Sequence, residues 1–231
     1  VLMHQRTQAW CERLLATPVG GLADALARMR AHLRPGTVLT DAGSTKLEVV
    51  AAARAALGDR VAQFVPGHPI AGAERTGPEA ADAGLYRKRT VILTPLGENA
   101  PPSLDLVRRA WQACEADVID MDADAHDRVL ASVSHLPHLL SSVYMAQVAE
   151  AADAPTRLGL AGSGFRDFTR IAAGSPEMWR DIFLSNRDAM LAELADVRAV
   201  LDRAERAIAA GDGAALLTLL DTAARRGWRK E

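Results

Sequence analysis

Cysteines, aromatic residues and long apolar runs are all scarce in this chain of 231 residues. Its two cysteines, Cys11 and Cys114, lack the spacing of a metal site, which predicts reduced thiols in a cytoplasmic protein. No apolar stretch approaches the roughly 20 residues of a membrane span, so we expect no membrane association. Aromatic residues make up 4% of the chain and basic residues are scattered, so no nucleic-acid partner is expected.

A glycine turn is missing as well. The pattern Gly-x-Gly-x-x-Gly, which normally opens a dinucleotide-binding fold and seats the pyrophosphate, occurs nowhere in the chain. Short apolar runs nevertheless alternate with helical stretches through the first half. Predicted strands lie at 14–18, 37–40, 62–65, 90–93 and 117–121, and predicted helices at 21–33, 46–57 and 103–116. This alternation predicts a parallel, doubly wound sheet.

After Asp122 the pattern becomes helical only, so we place a domain boundary there, with an incomplete dinucleotide-binding domain at 1–122 and a helical domain at 123–231. One long helix is predicted from 126 to 152, with a kink or restart at Pro137. Another runs from 176 or 177 to 210. Its apolar residues repeat at alternating spacings of four and three: Met190, Leu194, Val197, Leu201, Ala204 and Ile208. Such a seam serves either an intramolecular core or a contact between subunits.

The stretch from 162 to 172, here called the arginine segment, combines a helix start with two guanidinium groups. Arg166 and Arg170 lie one helical turn apart, while Phe165 and Phe168 fall on another face. Free N–H groups at a helix start favour anions, and arginine suits carboxylates. We therefore predict a receptor for an anion. The alternative is a helix with two solvated arginines.

Three further motifs accompany the arginine segment. They are Asp41-Ala-Gly-Ser-Thr-Lys46, His68-Pro-Ile-Ala-Gly72, and His126-Asp127 followed by Ser134-His-Leu-Pro-His138. In this order, with Met178 to Ile182 behind them, the chain resembles the prephenate dehydrogenase family, which includes the arogenate-using cyclohexadienyl dehydrogenases. The resemblance extends from about Leu14 to about Ala189. It implies an α/β fold: a partial Rossmann-type parallel sheet, then an all-α C-terminal domain for dimerisation and substrate binding.

The resemblance also implies the reaction. The family oxidatively decarboxylates prephenate or arogenate to 4-hydroxyphenylpyruvate or tyrosine, in tyrosine biosynthesis. The expected cofactor is NAD, with NADP as the alternative, and the expected assembly is a homodimer through the C-terminal helices.

Two catalytic residues follow from the resemblance. His68 is expected to bond the substrate's C4 hydroxyl as a base, and Ser44 to lie beside both that hydroxyl and the nicotinamide. Thr17 and Pro18 would join Ser44 in contacting the cofactor. From local sequence alone, His68 reads as a loop histidine that caps a turn, and Ser44 as the N-cap of the helix that follows.

The other residues implied by the resemblance bind the substrate. Arg170 is the expected carboxylate clamp, and Arg166 replaces a frequent lysine of the family. The remaining substrate contacts are expected from Ser134, His138, Glu74 and Trp179. Glu74 would pair with the clamp, or is a surface acid, and Trp179 would reach the pocket or pack in the core.

A metal hydrolase is a weaker alternative. His126 lies nine residues before His135, about half a turn away on a straight helix, so the histidines would not converge on one metal. We therefore expect no metal site and a structural role for His126. Because the glycine turn is missing, we expect a fragment, a shifted start or a natural loss of the front of the cofactor domain. A non-catalytic module for dimerisation and ligand binding is thus the alternative function.

Overall fold

The computed structural model describes residues 13–72 and 81–226. Through residue 120, strands and helices alternate. The strands are β1 (Arg13–Leu15), β2 (Leu39–Asp41), β3 (Phe64–Val65), β4 (Gly67–Pro69), β5 (Thr90–Leu93) and β6 (Asp117–Asp120). The helices are α1 (Leu22–Arg30), α2 (Leu47–Leu57) and α3 (Pro101–Gln112), with 3-10 segments at Val19–Gly21 and Gly58–Gln63.

The strands form two three-stranded sheets, in the orders β1-β2-β3 and β4-β5-β6, and five of the six strands have the predicted parallel pairing. β1, β2 and β3 are parallel, and so are β5 and β6. The register places Leu15 beside Asp41, so the turns that follow β1 and β2 leave the same carboxyl edge. In open α/β sheets this edge is where ligands bind.

The sixth strand, β4, corrects the prediction that His68 lies in a loop. Gly67–Pro69 pairs antiparallel with β5, and His68 is opposite Ile92. Gly67 permits this course, because a Cβ there would lie 3.1 Å from the Asp41 carbonyl oxygen and 3.3 Å from the Leu93 side chain. A strand of three residues that ends in proline carries no period-two pattern, so the sequence did not reveal it.

Two apolar cores cover the strands. Leu39 and Phe64 pack with side chains of α1 and α2, whereas their neighbours Val38 and Val65 pack with Trp111 and others of α3. Consecutive strand residues point to opposite faces, so helices cover both sides of these strands. Burying each large apolar side chain contributes about 1.5–3 kcal/mol.

The second half is helical throughout. It contains α4 (Ala123–Leu130), α5 (Leu136–Ala149), α6 (Ala154–Gly159), α7 (Ser163–Thr169), α8 (Pro176–Ser185), α9 (Arg187–Ala210) and α10 (Gly213–Arg226). A 3-10 segment, Arg170–Ala173, follows α7. The Rossmann-type sheet followed by an all-α domain confirms the predicted fold class. Within 13–72 and 81–226, no helix combines the length and apolar content that crossing a bilayer requires.

Two predicted long helices are each interrupted. Between α4 and α5 the chain forms a π-helical turn, Ala131–His135, which ends two residues before Pro137. Proline has no N–H to bond the carbonyl four residues earlier, and a π turn accommodates that loss. The second break is Asn186, which separates α8 from α9 and is buried.

The apolar seam of α9 divides between two environments. Met190 is 3% exposed and packs with Leu194 and Val197 against α5, whereas Leu201 and Ile208 are 59% and 66% exposed. On α10, further leucines are exposed. The first part of the seam is therefore intramolecular core, and the second part is an apolar face open to solvent in the single chain.

Candidate active site at the domain junction

A buried ion pair shapes the turn after β2. The Asp41 carboxylate accepts hydrogen bonds from the Gly43 N–H at 2.8 Å and the Gly67 N–H at 2.9 Å, and from Lys46 Nζ at 2.6 Å. Both charged side chains are essentially inaccessible. Gly43 leaves room for them, since a Cβ there would lie 2.8 Å from an Asp41 oxygen. Asp41 thus ties the turn that carries Ser44 to the strand that carries His68.

His68 begins a chain of hydrogen bonds that crosses into the helical half. Its Nδ1 lies 2.8 Å from Nε2 of His126, whose Nδ1 lies 2.8 Å from Oδ1 of Asp127. All three side chains are buried, with His68 the most accessible at 8%. We call these three residues the histidine chain. His126, expected from the sequence to be structural, thus bonds the predicted base directly.

Asp127 also caps a helix of the other half. Its carboxylate accepts the backbone N–H groups of Lys46 and Leu47, each at 2.8 Å, at the start of α2. The interpretation of Ser44 as this N-cap is therefore wrong: Lys46 occupies the position and a distant aspartate supplies the acceptor. Nearby, the hydroxyls of Thr45 and Ser185 are 2.7 Å apart, a second polar link between the halves.

The surroundings of His68 disfavour its protonation. Burial lowers the pKa of His68 well below its ordinary value, and the nearby Lys46 ammonium lowers it further. His68 is consequently neutral at neutral pH and able to accept a proton or a hydrogen bond.

His135, in the π turn, is fixed by Asn186. The Asn186 amide nitrogen donates to the Asp127 carbonyl oxygen at 2.8 Å and to His135 Nδ1 at 3.0 Å. His135 Nε2 therefore carries the ring proton, and this buried nitrogen has no hydrogen-bond partner among the described residues. Burial is the main cause that lowers the pKa of His135 to about 4.

His138 and Trp179 form a half-buried aromatic pair beside this group. Their rings stack with centroids 3.7 Å apart and an interplanar angle of 24°. His138 Nδ1 donates to the Ser134 carbonyl oxygen at 2.9 Å. Burial lowers the pKa of His138, and the Arg170 charge lowers it further, which places that arginine within electrostatic reach of the histidine.

The arginine segment is more open than the histidine chain. Arg166 and Arg170 are both exposed, on α7 and at the start of the 3-10 segment that follows. The segment is held by Tyr144, whose ring packs against Phe165 and Phe168 at 5.8 and 5.7 Å between centroids. Phe168 remains 46% exposed, so the predicted apolar face is only partly covered.

Thr17 and Pro18 are exposed at the carboxyl edge, and Ser44 is half-buried in the next turn. The helix of Trp179, α8, reaches this edge, because a Cβ on Gly20 would lie 3.2 Å from Asp181 Oδ2. The structure therefore brings elements of the predicted cofactor and substrate contacts together.

Glu74 lies outside the described residues. Within the described ranges, no three His, Cys, Asp or Glu side chains are placed to hold a metal ion.

A Rossmann-type sheet joined to a helical domain by buried histidines defines a two-domain protein of the dehydrogenase class. The family description "Prephenate dehydrogenase, nucleotide-binding domain" matches residues 13–120, and "Prephenate dehydrogenase, dimerization domain" matches residues 122–222. The chain belongs to the prephenate dehydrogenase family.

Similar proteins carry related names. The chain is 35% identical to a cyclohexadienyl dehydrogenase of Zymomonas mobilis, over 88% of this chain and 70% of that protein. It is 33% identical to a prephenate dehydrogenase of Lactococcus lactis, over 88% of this chain and 56% of that protein. A crystal structure of Aquifex aeolicus prephenate dehydrogenase with hydroxyphenyl propionate and NAD+ superposes with a TM-score of 0.85 and 32% identity, covering 92% of this chain and 74% of that one.

Proposed function

We propose that this site serves the oxidative decarboxylation of prephenate or arogenate, giving 4-hydroxyphenylpyruvate or tyrosine. The observation that carries the proposal is a buried, neutral histidine on β4, at the edge where ligands bind and within a junction lined by two more histidines, with an arginine close by. Family membership and the names of the relatives point to the same reaction. A cytoplasmic location remains a prediction.

His68 would take the proton of the substrate's C4 hydroxyl. In the reaction, C4 loses a hydride, the ring carboxylate leaves as CO2 and the electrons of its C–C bond make the ring aromatic. A neutral imidazole nitrogen beside the hydroxyl accepts the proton as the carbonyl character at C4 develops, and can return it to the phenolic oxygen. The Ser44 hydroxyl would supply a second hydrogen bond at this oxygen.

Arg170 would bind a carboxylate of the substrate, with Arg166 adding positive charge. Arg170 begins the 3-10 segment that packs on α5, the helix of His138, and His138 stacks on Trp179 in the half-buried group beside His135. A guanidinium there can hold a carboxylate through two parallel hydrogen bonds. His138, Ser134, Trp179 and Glu74 would complete the substrate contacts.

The carboxyl edge fits the nicotinamide end of a dinucleotide. Hydroxyl groups of Thr17 and Ser44 are accessible in adjacent turns, and the register of Leu15 with Asp41 keeps those turns together. When bound, NAD or NADP supplies the hydride acceptor; we propose NAD, with NADP as the alternative. We name no residues for the pyrophosphate, because the chain contains no Gly-x-Gly-x-x-Gly turn.

A homodimer is also proposed. Leu201 and Ile208 on α9 and Leu217 on α10 are each more than half exposed. An apolar face of this kind is typical of an interface, and the matching family description names a dimerization domain.

The second candidate is a module that binds the ligand and dimerises without turnover. The match to a dimerization domain and the exposed apolar residues of α9 and α10 favour it. Mixing the purified chain with prephenate and NAD, and recording NADH absorbance, distinguishes the two. Turnover supports the enzyme; calorimetric binding of prephenate without turnover supports the module. Neither binding nor turnover with prephenate or arogenate, with either cofactor, contradicts both. Running the same assay with arogenate and with NADP identifies the preferred substrate and cofactor.

A further inference from the structure

The directions of the hydrogen bonds in the histidine chain depend on the histidine tautomers, and the partners of Asp127 select among them. Both oxygens of the Asp127 carboxylate accept a backbone N–H group at the start of α2, so each of them acts as an acceptor there. An ionised carboxylate is an acceptor only, so His126 Nδ1 must donate to it across 2.8 Å.

The positions of the other ring protons follow from the proton on His126 Nδ1. A neutral His126 that donates through Nδ1 has an unprotonated Nε2, which can only accept. The partner of that nitrogen is His68 Nδ1, at 2.8 Å, which must therefore donate. A neutral His68 that carries its proton on Nδ1 presents an unprotonated Nε2 to the substrate.

We propose that His126 and Asp127 are positioning residues that fix the proton of His68 on Nδ1 and so make its Nε2 the acceptor of the substrate hydroxyl proton. This inference deepens the proposed function and depends on it for the identity of the substrate. Imidazole side chains free in water favour the opposite tautomer, with the proton on Nε2, which would offer a donor where the reaction requires an acceptor.

His126 and Asp127, here called the dyad, have a second effect when His68 becomes protonated. The proton leaves the substrate oxygen and bonds to Nε2, giving an imidazolium whose Nδ1 still donates to His126. Because His126 donates to the Asp127 carboxylate, the new positive charge is stabilised through the chain without moving any other proton. Asp127 keeps its two backbone donors throughout this step.

The placement of the dyad also couples the base to the docking of the two halves. His68 belongs to β4 of the sheet half, whereas His126 and Asp127 belong to α4 of the helical half. The same carboxylate caps α2, which begins three residues after Ser44. His68 therefore has its proton on Nδ1 only when the helical half packs against the turn that carries Ser44.

The direct test is nitrogen NMR of the full chain labelled with 15N-histidine, since protonated and unprotonated ring nitrogens have well-separated shifts. In the wild type at neutral pH we expect Nδ1–H with an unprotonated Nε2 for both His68 and His126. His68 protonated on Nε2, or His126 protonated on both nitrogens, overturns the proposal. This measurement needs no turnover, so an inactive chain with the expected tautomers contradicts the proposed function and leaves the dyad in place.

A variant extends the test. His126→Phe keeps a ring in the site but removes the acceptor, so a substantial Nε2–H population should appear at His68, and kcat should fall about tenfold with KM nearly unchanged. Leu130→Ala is the matched control, because it removes a buried side chain one turn along the same helix without touching the chain of hydrogen bonds. It should lower Tm and leave the His68 tautomer as in the wild type. A His126→Phe protein with wild-type tautomer and kcat, or a Leu130→Ala protein with a changed tautomer, contradicts the inference.

Discussion

The histidine chain and the arginine segment are built in opposite ways. The histidine chain is buried at the junction, every member is hydrogen-bonded, and one carboxylate serves both a helix start and a base. The arginine segment spans a helix of seven residues and the 3-10 segment that follows it, and both of its arginines are exposed. A proton transfer requires one fixed tautomer in a dry site, whereas a carboxylate must reach its receptor from water. Under the proposed function, the first region would carry the chemistry and the second would capture the substrate.

The largest effect should come from removing His68, the proposed base in the histidine chain. His68→Ala removes the proton acceptor, and we expect kcat to fall about 10³-fold while the Kd for prephenate changes little, because general bases typically contribute 10²–10⁴. Steady-state kinetics and calorimetry measure the two quantities. A rise in Kd with an unchanged kcat would show that His68 belongs to the capture region instead.

A lower pH should reduce the folding stability of the chain, because the buried histidines are neutral in the folded state. In the folded chain the pKa of His135 is lowered from 6.5 to about 4, so between these values the unfolded chain binds a proton that the folded chain does not. Stability should therefore fall as the pH drops from 6.5 to about 4, by up to about 3 kcal/mol at about 1.36 kcal/mol per pKa unit, and His68 acts in the same direction.

Urea unfolding at a series of pH values measures this loss. His135→Gln should flatten the curve in that pH range, whereas His32→Gln, a substitution of an exposed histidine, should not. A wild-type stability that stays constant from pH 6.5 to 4 is the contradicting result.

Substitutions in the arginine segment, the proposed capture region, should change mainly KM. Arg170→Ala is expected to lower kcat/KM about 10²-fold, mostly through KM, because a charge-assisted pair to a carboxylate is lost. Arg166→Ala is the matched control one turn earlier and should cost less than tenfold, since Arg170 is the one whose charge acts on His138. Equal losses in the two variants would remove the distinction between clamp and accessory charge.

The motifs located the parts of the site, but not how they connect. On a straight helix His126 and His135 diverge, but the π turn at Ala131–His135 changes the helical phase between them. Asn186 bonds both the Asp127 carbonyl oxygen and His135, which holds His135 beside the histidine chain. Asp127 illustrates a second limit: its partners, Lys46 and Leu47, are some 80 residues away in sequence, and no local pattern encodes such a contact.

By contrast, the fold class followed from the sequence because strand–helix alternation is a local signal repeated several times. The three-residue strand β4 and the break at Asn186 escaped it, and both depend on distant partners. Asp41 and Lys46 are the first and last residues of one of the sequence motifs, but the sequence predicted no role for either residue. Charged residues of opposite sign that flank a short turn after a buried strand are the signal that could have indicated their pairing.

Calorimetric titration of the chain with prephenate, in the wild type, His68→Ala and Arg170→Ala, tests most directly whether the two regions divide chemistry from capture. We predict binding to the wild type, similar binding to His68→Ala, and at least tenfold weaker binding to Arg170→Ala. Prephenate that binds Arg170→Ala as tightly as the wild type, or that loses its affinity only in His68→Ala, would contradict the account.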